Sequence, residues 1–222
     1  MTATTALTGL AAYWDRYAIR KPSPPPGKAL KDGLLWTPYE DHGPGEELLG
    51  NPASVLELGC SHGNAAAALA VKGIDVTGVD LSPVMIASAR ARWGHLPHTV
   101  FIEADALGYL ARARRRWEAI YSIWGALWFL DPEQWMPLVR TCLAPDGRLV
   151  FSCAAPVPGC YGVQGMYGAG FTGPQTYVRR WAYEPEIWAK MLTEHGFCNV
   201  DAWVEPAPEP DHLGTLIIRA QV

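Results

Sequence analysis

Charge is scarce in this chain of 222 residues: 18 Lys and Arg face 22 Asp and Glu, 18% of the total, for a formal net charge of −4. Nucleic-acid binding rests on many phosphate contacts, and no basic stripe is present to make them. Low charge beside 49% hydrophobic residues also excludes extended disorder, except at the ends. Five cysteines are present (60, 142, 153, 160 and 198), but none has C-x-x-C spacing or a zinc-like arrangement with histidine. Reduced thiols, no metal and a cytoplasmic location are therefore expected. No stretch approaches the roughly 20 apolar residues of a membrane span, and MTATTALTGLAAYWDRY lacks the basic start and apolar core of a signal peptide. The length suits one domain with a modest insertion.

What is present is an alternation of strand and helix signals from residue 53 onward. SVLEL (54–58), IDVTGVD (74–80), TVFIEAD (99–105), WEAIYSIWG (117–125) and GRLVFSCA (147–154) read as strands. HGNAAAALAVKG (62–73) is Ala-rich and closed by Gly73, while SPVMIASARARW (82–93) and DPEQWMPLVRTCL (131–143) open with a capping residue followed by proline. EPEIWAKMLTEHGF (184–197) is a further helix, and 198–204 and 213–220 are two more strands. The alternation predicts an α/β fold: a doubly wound, mostly parallel seven-stranded sheet, helices on both faces, and an antiparallel C-terminal strand. Four regions are expected. Residues 1–50 form a helical and loop lid, with Leu10, Tyr13, Trp14 and Tyr17 on one helical face and a break at KPSPPPGK (21–28). Residues 51–154 form the core, 155–183 a Gly- and aromatic-rich insertion without clear period, and 184–222 the completing helix and strand pair.

Ligands of such sheets sit at the carboxyl ends of the strands, near the point where strand order reverses. The loop there is Glu57-Leu58-Gly59-Cys60-Ser61-His62-Gly63, whose two glycines permit close backbone approach and a tight entry into the helix. Asp80 ends the second strand, seventeen residues beyond Gly63, where a carboxylate can accept both hydroxyls of a ribose. Asp105 ends the third, within reach of an adenine amine. A nicotinamide enzyme would share a glycine loop and a ribose acid. Ser61 and Asn64, however, stand where G-x-G-x-x-G requires glycine, and Glu57 would repel a pyrophosphate while attracting an α-amino group. His62 either meets a ligand carboxylate or faces solvent.

These segments resemble the class I (Rossmann-like) S-adenosylmethionine-dependent methyltransferases. VLELGCSHG is similar to the family's first motif, VTGVDLS to the acidic loop after it, EADAL to the third-strand acid and LAPDGRLVFS to the turn into the fifth strand. The resemblance covers roughly 53–153, and YWDRYA is similar to the N-terminal segment that closes over the cofactor. One departure is plain: the usual middle glycine is Ser61, with His62 beside it. The resemblance implies S-adenosyl-L-methionine as cofactor and S-adenosyl-L-homocysteine as product. It implies cofactor contacts from Tyr17, Glu57, Gly59, Cys60, Ser61, Gly63, Asp80, Leu81, Asp105, Ala106, Ser122 and Trp124.

The acceptor side is less defined. Enzymes that methylate exocyclic base amines carry Asn or Asp, then Pro-Pro and an aromatic, after the fourth strand; here Ser122-Ile123-Trp124-Gly125 stands instead. The Pro-Cys nucleophile of cytosine C5 enzymes is missing too. A small organic acceptor, an O, N or C nucleophile of secondary metabolism in a bacterium, is expected. No nucleic-acid or membrane partner is expected, and the chain should be a monomer or homodimer. Trp124, Trp128, Phe129, Tyr161, Met166, Tyr167, Phe171, Tyr177 and Trp181 suit a flat apolar pocket. Packing of the insertion onto the sheet would use the same rings. Arg179 and Arg180 pair an acidic substrate group or form a solvated edge. His42 and His62 are the nearest candidate bases, with Tyr161 and Tyr167 orienting the acceptor. A nicotinamide-dependent oxidoreductase and a non-catalytic scaffold are the alternatives.

Overall fold

Short aliphatic runs become parallel strands when helices cover both faces, and helices follow where a capping residue and proline open a stretch of good helix formers. The structure, a computed structural model, describes residues 3–171 and 177–222, and side chains over 9–165 and 178–222. The chain begins with Ala3–Arg20 (α1), Pro26–Lys31 (α2) and a 3-10 turn, Glu46–Leu49. Ser54–Leu58 (β1), Asn64–Ala70 (α3), Asp75–Asp80 (β2), Pro83–Trp93 (α4), Thr99–Glu103 (β3) and Ala106–Arg112 (α5) follow. Then come Trp117–Ile123 (β4), Ala126–Phe129 (α6), Pro132–Cys142 (α7) and Leu143–Ala154 (β5). A hairpin of Gly162–Phe171 (β6) and Tyr177–Ala182 (β7) precedes Pro185–Glu194 (α8), Cys198–Glu205 (β8) and Thr215–Gln221 (β9).

Seven strands form one sheet in the order β3-β2-β1-β4-β5-β9-β8, with β9 antiparallel to both β5 and β8. This is the expected topology. The chain winds outward from β1 through β2 to β3, then returns to β4 on the other side of β1. The strand order therefore reverses between β1 and β4, and their carboxyl ends open a crevice.

Each face carries its own core. On one, α5, α7 and α8 bury Leu110, Trp135, Met136, Val139, Trp188 and Leu192 against Leu56, Ile120 and Phe151. On the other, α3 and α4 bury their alanines, Ile86 and Trp93 against Val55, Val76, Tyr121 and Ile217, beside Trp36. Trp135, Phe151 and Trp188 interlock with ring centroids 5.3–6.4 Å apart, two of the three pairs edge to face. Edge-to-face rings add stabilisation beyond the area they bury.

The structure departs from the sequence expectations in four places. α2 starts inside the proline-rich segment, because Pro26 occupies a first-turn position whose missing N–H costs nothing. α5 and the single-turn α6 were not expected, being too short to show a period. The apparently aperiodic insertion holds the β6–β7 hairpin, which pairs only with itself in a separate two-stranded sheet. β5 begins at Leu143, four residues early, with Asp146 in left-handed conformation (φ 60°) inside the strand. Met166, Tyr167, Phe171 and Tyr177 have side chains outside the described residues.

Trp188→Ala should cost about 3–5 kcal/mol in urea unfolding, the usual loss for a buried large aromatic. Val163→Ala, on an exposed strand position, should change stability by less than about 0.5 kcal/mol.

Candidate functional site

The crevice is shaped by two loops in direct contact. Gly59 follows β1 with φ +80°, and a Cβ there would lie 2.5 Å from Ala126 N and 3.0 Å from Gly125 Cα. Only glycine fits this approach. Ser122, buried at the end of β4, clamps the same junction: its hydroxyl donates to the Leu58 carbonyl (2.7 Å) and accepts from Leu127 N–H (3.3 Å). Gly59 and Cys60 both donate their N–H to the Val79 carbonyl (2.8 and 3.0 Å), tying the loop to β2. The Cys60 side chain turns into the core against Gly78, so this residue offers a ligand only its backbone.

Ser61 occupies the family's usual glycine position and adopts glycine's conformation, φ 50°. Its N–H donates to Asp80 Oδ2 (2.8 Å) and its hydroxyl lies 2.8 Å from Met85 Sδ. The loop geometry is thereby kept without the glycine, at the cost of local backbone strain. Gly63, φ +73°, turns into α3 where a Cβ would strike the Phe101 ring at 2.6 Å.

Two carboxyl groups stand behind this loop, Glu57 buried and Asp80 half-buried. Asp80 is fixed by Ser61 N–H and Ser82 N–H (2.9 Å), one on each oxygen, which leaves further lone pairs free. Burial raises its pKa, and those N–H groups and the nearby His62 oppose the rise. Glu57 is 4% exposed; Tyr121 Oη donates to its Oε2 (3.1 Å) and Ala66 N–H also reaches it. Burial, reinforced by the charge of Asp80, pushes Glu57 up to about 8. With protein neighbours alone, Glu57 therefore keeps its proton at neutral pH. The bare negative charge expected from the sequence arises only once a cation is brought beside it.

Over the crevice lies α1. Asp15 Oδ1 accepts from the Ser82 hydroxyl (2.5 Å), and that hydroxyl also caps α4 by accepting from Met85 N–H (3.1 Å). Trp14 packs on Phe129 of α6 (4.8 Å). The helix thus bridges the β2 side of the crevice to the β4 side. His62 ties its end down: Nε2 lies 3.2 Å from the Lys21 carbonyl and Nδ1 2.9 Å from Ser88 Oγ. A carbonyl only accepts, so Nε2 carries a proton. His62 therefore holds the chain leaving α1 rather than facing solvent.

The remaining expected residues divide. Tyr17 lies on α1 beside Trp14 (5.7 Å) and is 40% exposed. Leu81 follows Asp80 at the rim. Asp105 does not end β3, which stops at Glu103; its Oδ2 caps α5 by accepting from Gly108 N–H (2.7 Å). Ala106 is buried as the first residue of that helix. Trp124 has φ 49°, a second non-glycine residue in the left-handed region at the crevice, and its Nε1 donates to the Trp36 carbonyl (2.9 Å). Of the catalytic candidates, His42 and Tyr161 each bind a different part of the protein. His42 Nε2 binds the Pro206 carbonyl (2.7 Å) in the turn between β8 and β9, on the far side of the sheet from β2. Tyr161, 46% exposed, donates to Glu184 (2.7 Å) at the start of α8. The Tyr167 side chain is outside the described residues. Among the described residues no His, Cys, Asp or Glu cluster suits a metal.

Sequence reasoning did not single out Asp15, Tyr121, Gly125 or Trp36. The hydroxyl of Tyr121, on the strand residue paired with Glu57, was the one available signal. Nothing local announces the others.

Residues 55–147 match a family described as a methyltransferase domain. Four sequence motifs and the strand order agree with that match. Over residues 55–147 the chain is similar to that methyltransferase-domain family, on a Rossmann-like fold. Trans-aconitate 2-methyltransferase of Paracidovorax citrulli is 35% identical over 124 residues, 52% of this chain and 46% of that protein. The enzyme of the same name from Methylobacterium radiotolerans is 36% identical over a stretch of equal length. The chain spans about half the length of these curated relatives. Two solved structures share the methyltransferase fold. One is 1,6-didemethyltoxoflavin-N1-methyltransferase of Burkholderia thailandensis (TM-score 0.62, 22% identity, covering 100% of this chain and 91% of that one). The other is the DhpI–SAH complex (TM-score 0.65, 20% identity, 99% and 98%).

The folded chain keeps a proton on Glu57 that the unfolded chain releases near the ordinary 4.5. Between about 4.5 and 8 the folded state holds more protons, so stability should fall as pH rises, by at most about 1.4 kcal/mol per unit. Urea unfolding of Glu57→Gln should show a flatter profile across this window. An unchanged slope would remove Glu57 as its source.

Proposed function

We propose that this chain moves the methyl group of S-adenosylmethionine to a small organic acceptor in the crevice between β1 and β4. The observation that carries the reading is the pair of acids, buried Glu57 and half-buried Asp80, converging beneath a glycine loop at the strand-order reversal. S-adenosylmethionine is a zwitterion bearing an additional sulfonium, and when bound it supplies a methyl carbon already activated for in-line displacement.

The donor set fits this cofactor. Asp80 has lone pairs left to accept from two ribose hydroxyls, and its two backbone donors hold it rigid. A nearby cation favours the ionised form of Glu57, its proton passing to solvent, which suits an α-ammonium group over the loop. A dinucleotide pyrophosphate would meet these acids instead, and the N–H groups of Gly59, Cys60, Ser61 and Gly63 already donate within the protein. Asp105 retains a carboxylate oxygen beyond its helix cap for an adenine amine. Ser122 acts through the clamp between the loops, and Cys60 through its backbone.

Catalysis on this reading is mainly placement and exclusion of water. Trp14 of α1, Phe129, Trp128 and Trp124 form a continuous aromatic wall beside the crevice, with centroids 4.8–5.6 Å apart. α1 serves as the lid, latched through Asp15 and Ser82. His42 and Tyr161 are each engaged by protein groups, the Pro206 carbonyl and Glu184. Donation to Glu184 raises the Tyr161 pKa, which argues against its serving as a base near neutrality. An acceptor that already carries a lone pair, such as a carboxylate or a neutral amine, needs no base. The named activity of the trans-aconitate relatives and the N-methyltransferase of like fold support small acceptors. A bacterial, cytoplasmic monomer or homodimer without nucleic-acid partners completes the proposal. Among the described residues no helix is long and apolar enough to cross a membrane.

Calorimetry should give micromolar affinity, about −8 kcal/mol, for S-adenosylmethionine and S-adenosylhomocysteine and none for NAD. Tight NAD binding would overturn the proposal. Asp80→Ala should weaken cofactor binding by about 1–3 kcal/mol. Because the cation favours ionised Glu57, affinity should rise with pH up to about 8, by no more than about tenfold per unit, and the rise should vanish in Glu57→Gln.

A further inference from the structure

The aromatic wall ends in a cation. Arg180, in β7, sits with its guanidinium carbon 5.4 Å from the centre of the Trp128 ring. Trp128 packs in turn on Phe129 (4.9 Å) and meets Trp124 edge-on (5.6 Å), so Arg180 stands at the acceptor end of the crevice. β7 lies against α6, which brings this hairpin strand over the carboxyl ends of β4 and β5. The side chain is half-buried, whereas Arg179 beside it is exposed.

Arg180 is also held in one orientation. Its Nε donates to Gln164 Oε1 (2.8 Å) on the neighbouring strand, and Gln164 is itself anchored through Nε2 to the Cys160 carbonyl (2.6 Å). That leaves the two terminal nitrogens of the fork. Among the described residues no carboxylate pairs with them, although eight ion pairs form elsewhere on the chain. The Trp128 indole N–H is a second donor without a partner, in a side chain only 8% exposed. A buried donor left unsatisfied costs stability, and an oriented guanidinium matches a carboxylate with two parallel hydrogen bonds.

We propose that Arg180 is the specificity residue of the acceptor site, binding a carboxylate of a small organic acid that presents a different atom to the methyl group. The inference rests on the methyltransferase reading above. Gln164 is the positioning residue that aims the fork, and the Trp128 ring beneath the guanidinium supports it from the other side. The wall of rings selects planarity while Arg180 selects charge. In the transfer itself the acceptor lone pair forms the new bond to the methyl carbon. The sulfur–methyl bond breaks, and its electron pair stays on the sulfur of S-adenosylhomocysteine.

The test is calorimetry on protein saturated with S-adenosylhomocysteine, titrated with trans-aconitate and benzoate and with their neutral amides. At least one acid should bind more tightly than its amide. Arg180→Gln should abolish that preference, weakening the acid about tenfold or more while leaving S-adenosylhomocysteine affinity and melting temperature unchanged. Arg180→Lys, which keeps the charge and loses the fork, should recover only part of it and covers the case in which Arg180→Gln misfolds. If no acid is preferred, or the preference survives in Arg180→Gln, the anchor is wrong and the methyltransferase reading stands. Failure of S-adenosylhomocysteine itself to bind would bring down both.

Discussion

The contact between the loop after β1 and the turn after β4 is the constraint on which the site depends. Gly59 lies against Gly125 and Ala126 more closely than any side chain would allow, and the Ser122 hydroxyl bonds both sides of the junction. This contact fixes the angle at which the loop leaves β1, and with it the places of Ser61 and Asp80. It also fixes Trp124, whose left-handed backbone starts the aromatic wall. Strain at Ser61 and Trp124 is tolerated because hydrogen bonds on each side leave no alternative path for the chain.

Behind the loop the protein accepts an electrostatic debt. Glu57 is buried and Asp80 half-buried, close enough for the charge of Asp80 to raise the pKa of Glu57, and backbone N–H groups, one phenol and the nearby His62 compensate them. Such an arrangement costs stability without a cation and favours any ligand that brings one. The acceptor side has the reverse polarity, with a fork of Arg180 and an indole donor above packed rings. A crevice acidic at one end and cationic at the other orients the two reactants before any chemistry begins.

Much of this was legible in the sequence. The strands showed as apolar runs bounded by glycine and by Ser82 or Asp131, which cap the helices as their positions suggested. The glycine loop and Asp80 followed from spacing alone. The helix of residues 3–20 carried its aromatic face openly, yet its docking through Asp15 onto Ser82 spans 67 residues, and no local pattern encodes that distance. The hairpin in the insertion was hidden because it pairs only with itself and its segments carry no apolar run bounded by turn residues. Glu57 was legible as an acid but not as a protonated one. Its ionisation depends on Tyr121 and on burial, which arise only when β1, β4 and α3 come together.

The most direct test is a crystal structure of the protein grown with S-adenosylhomocysteine. The account predicts ribose hydroxyls on Asp80, the amino-acid tail over Gly59 to Gly63 above Glu57, and Trp14 of α1 closing the near side. Density for the ligand away from these residues, or a crevice filled by the protein's own side chains, would contradict it.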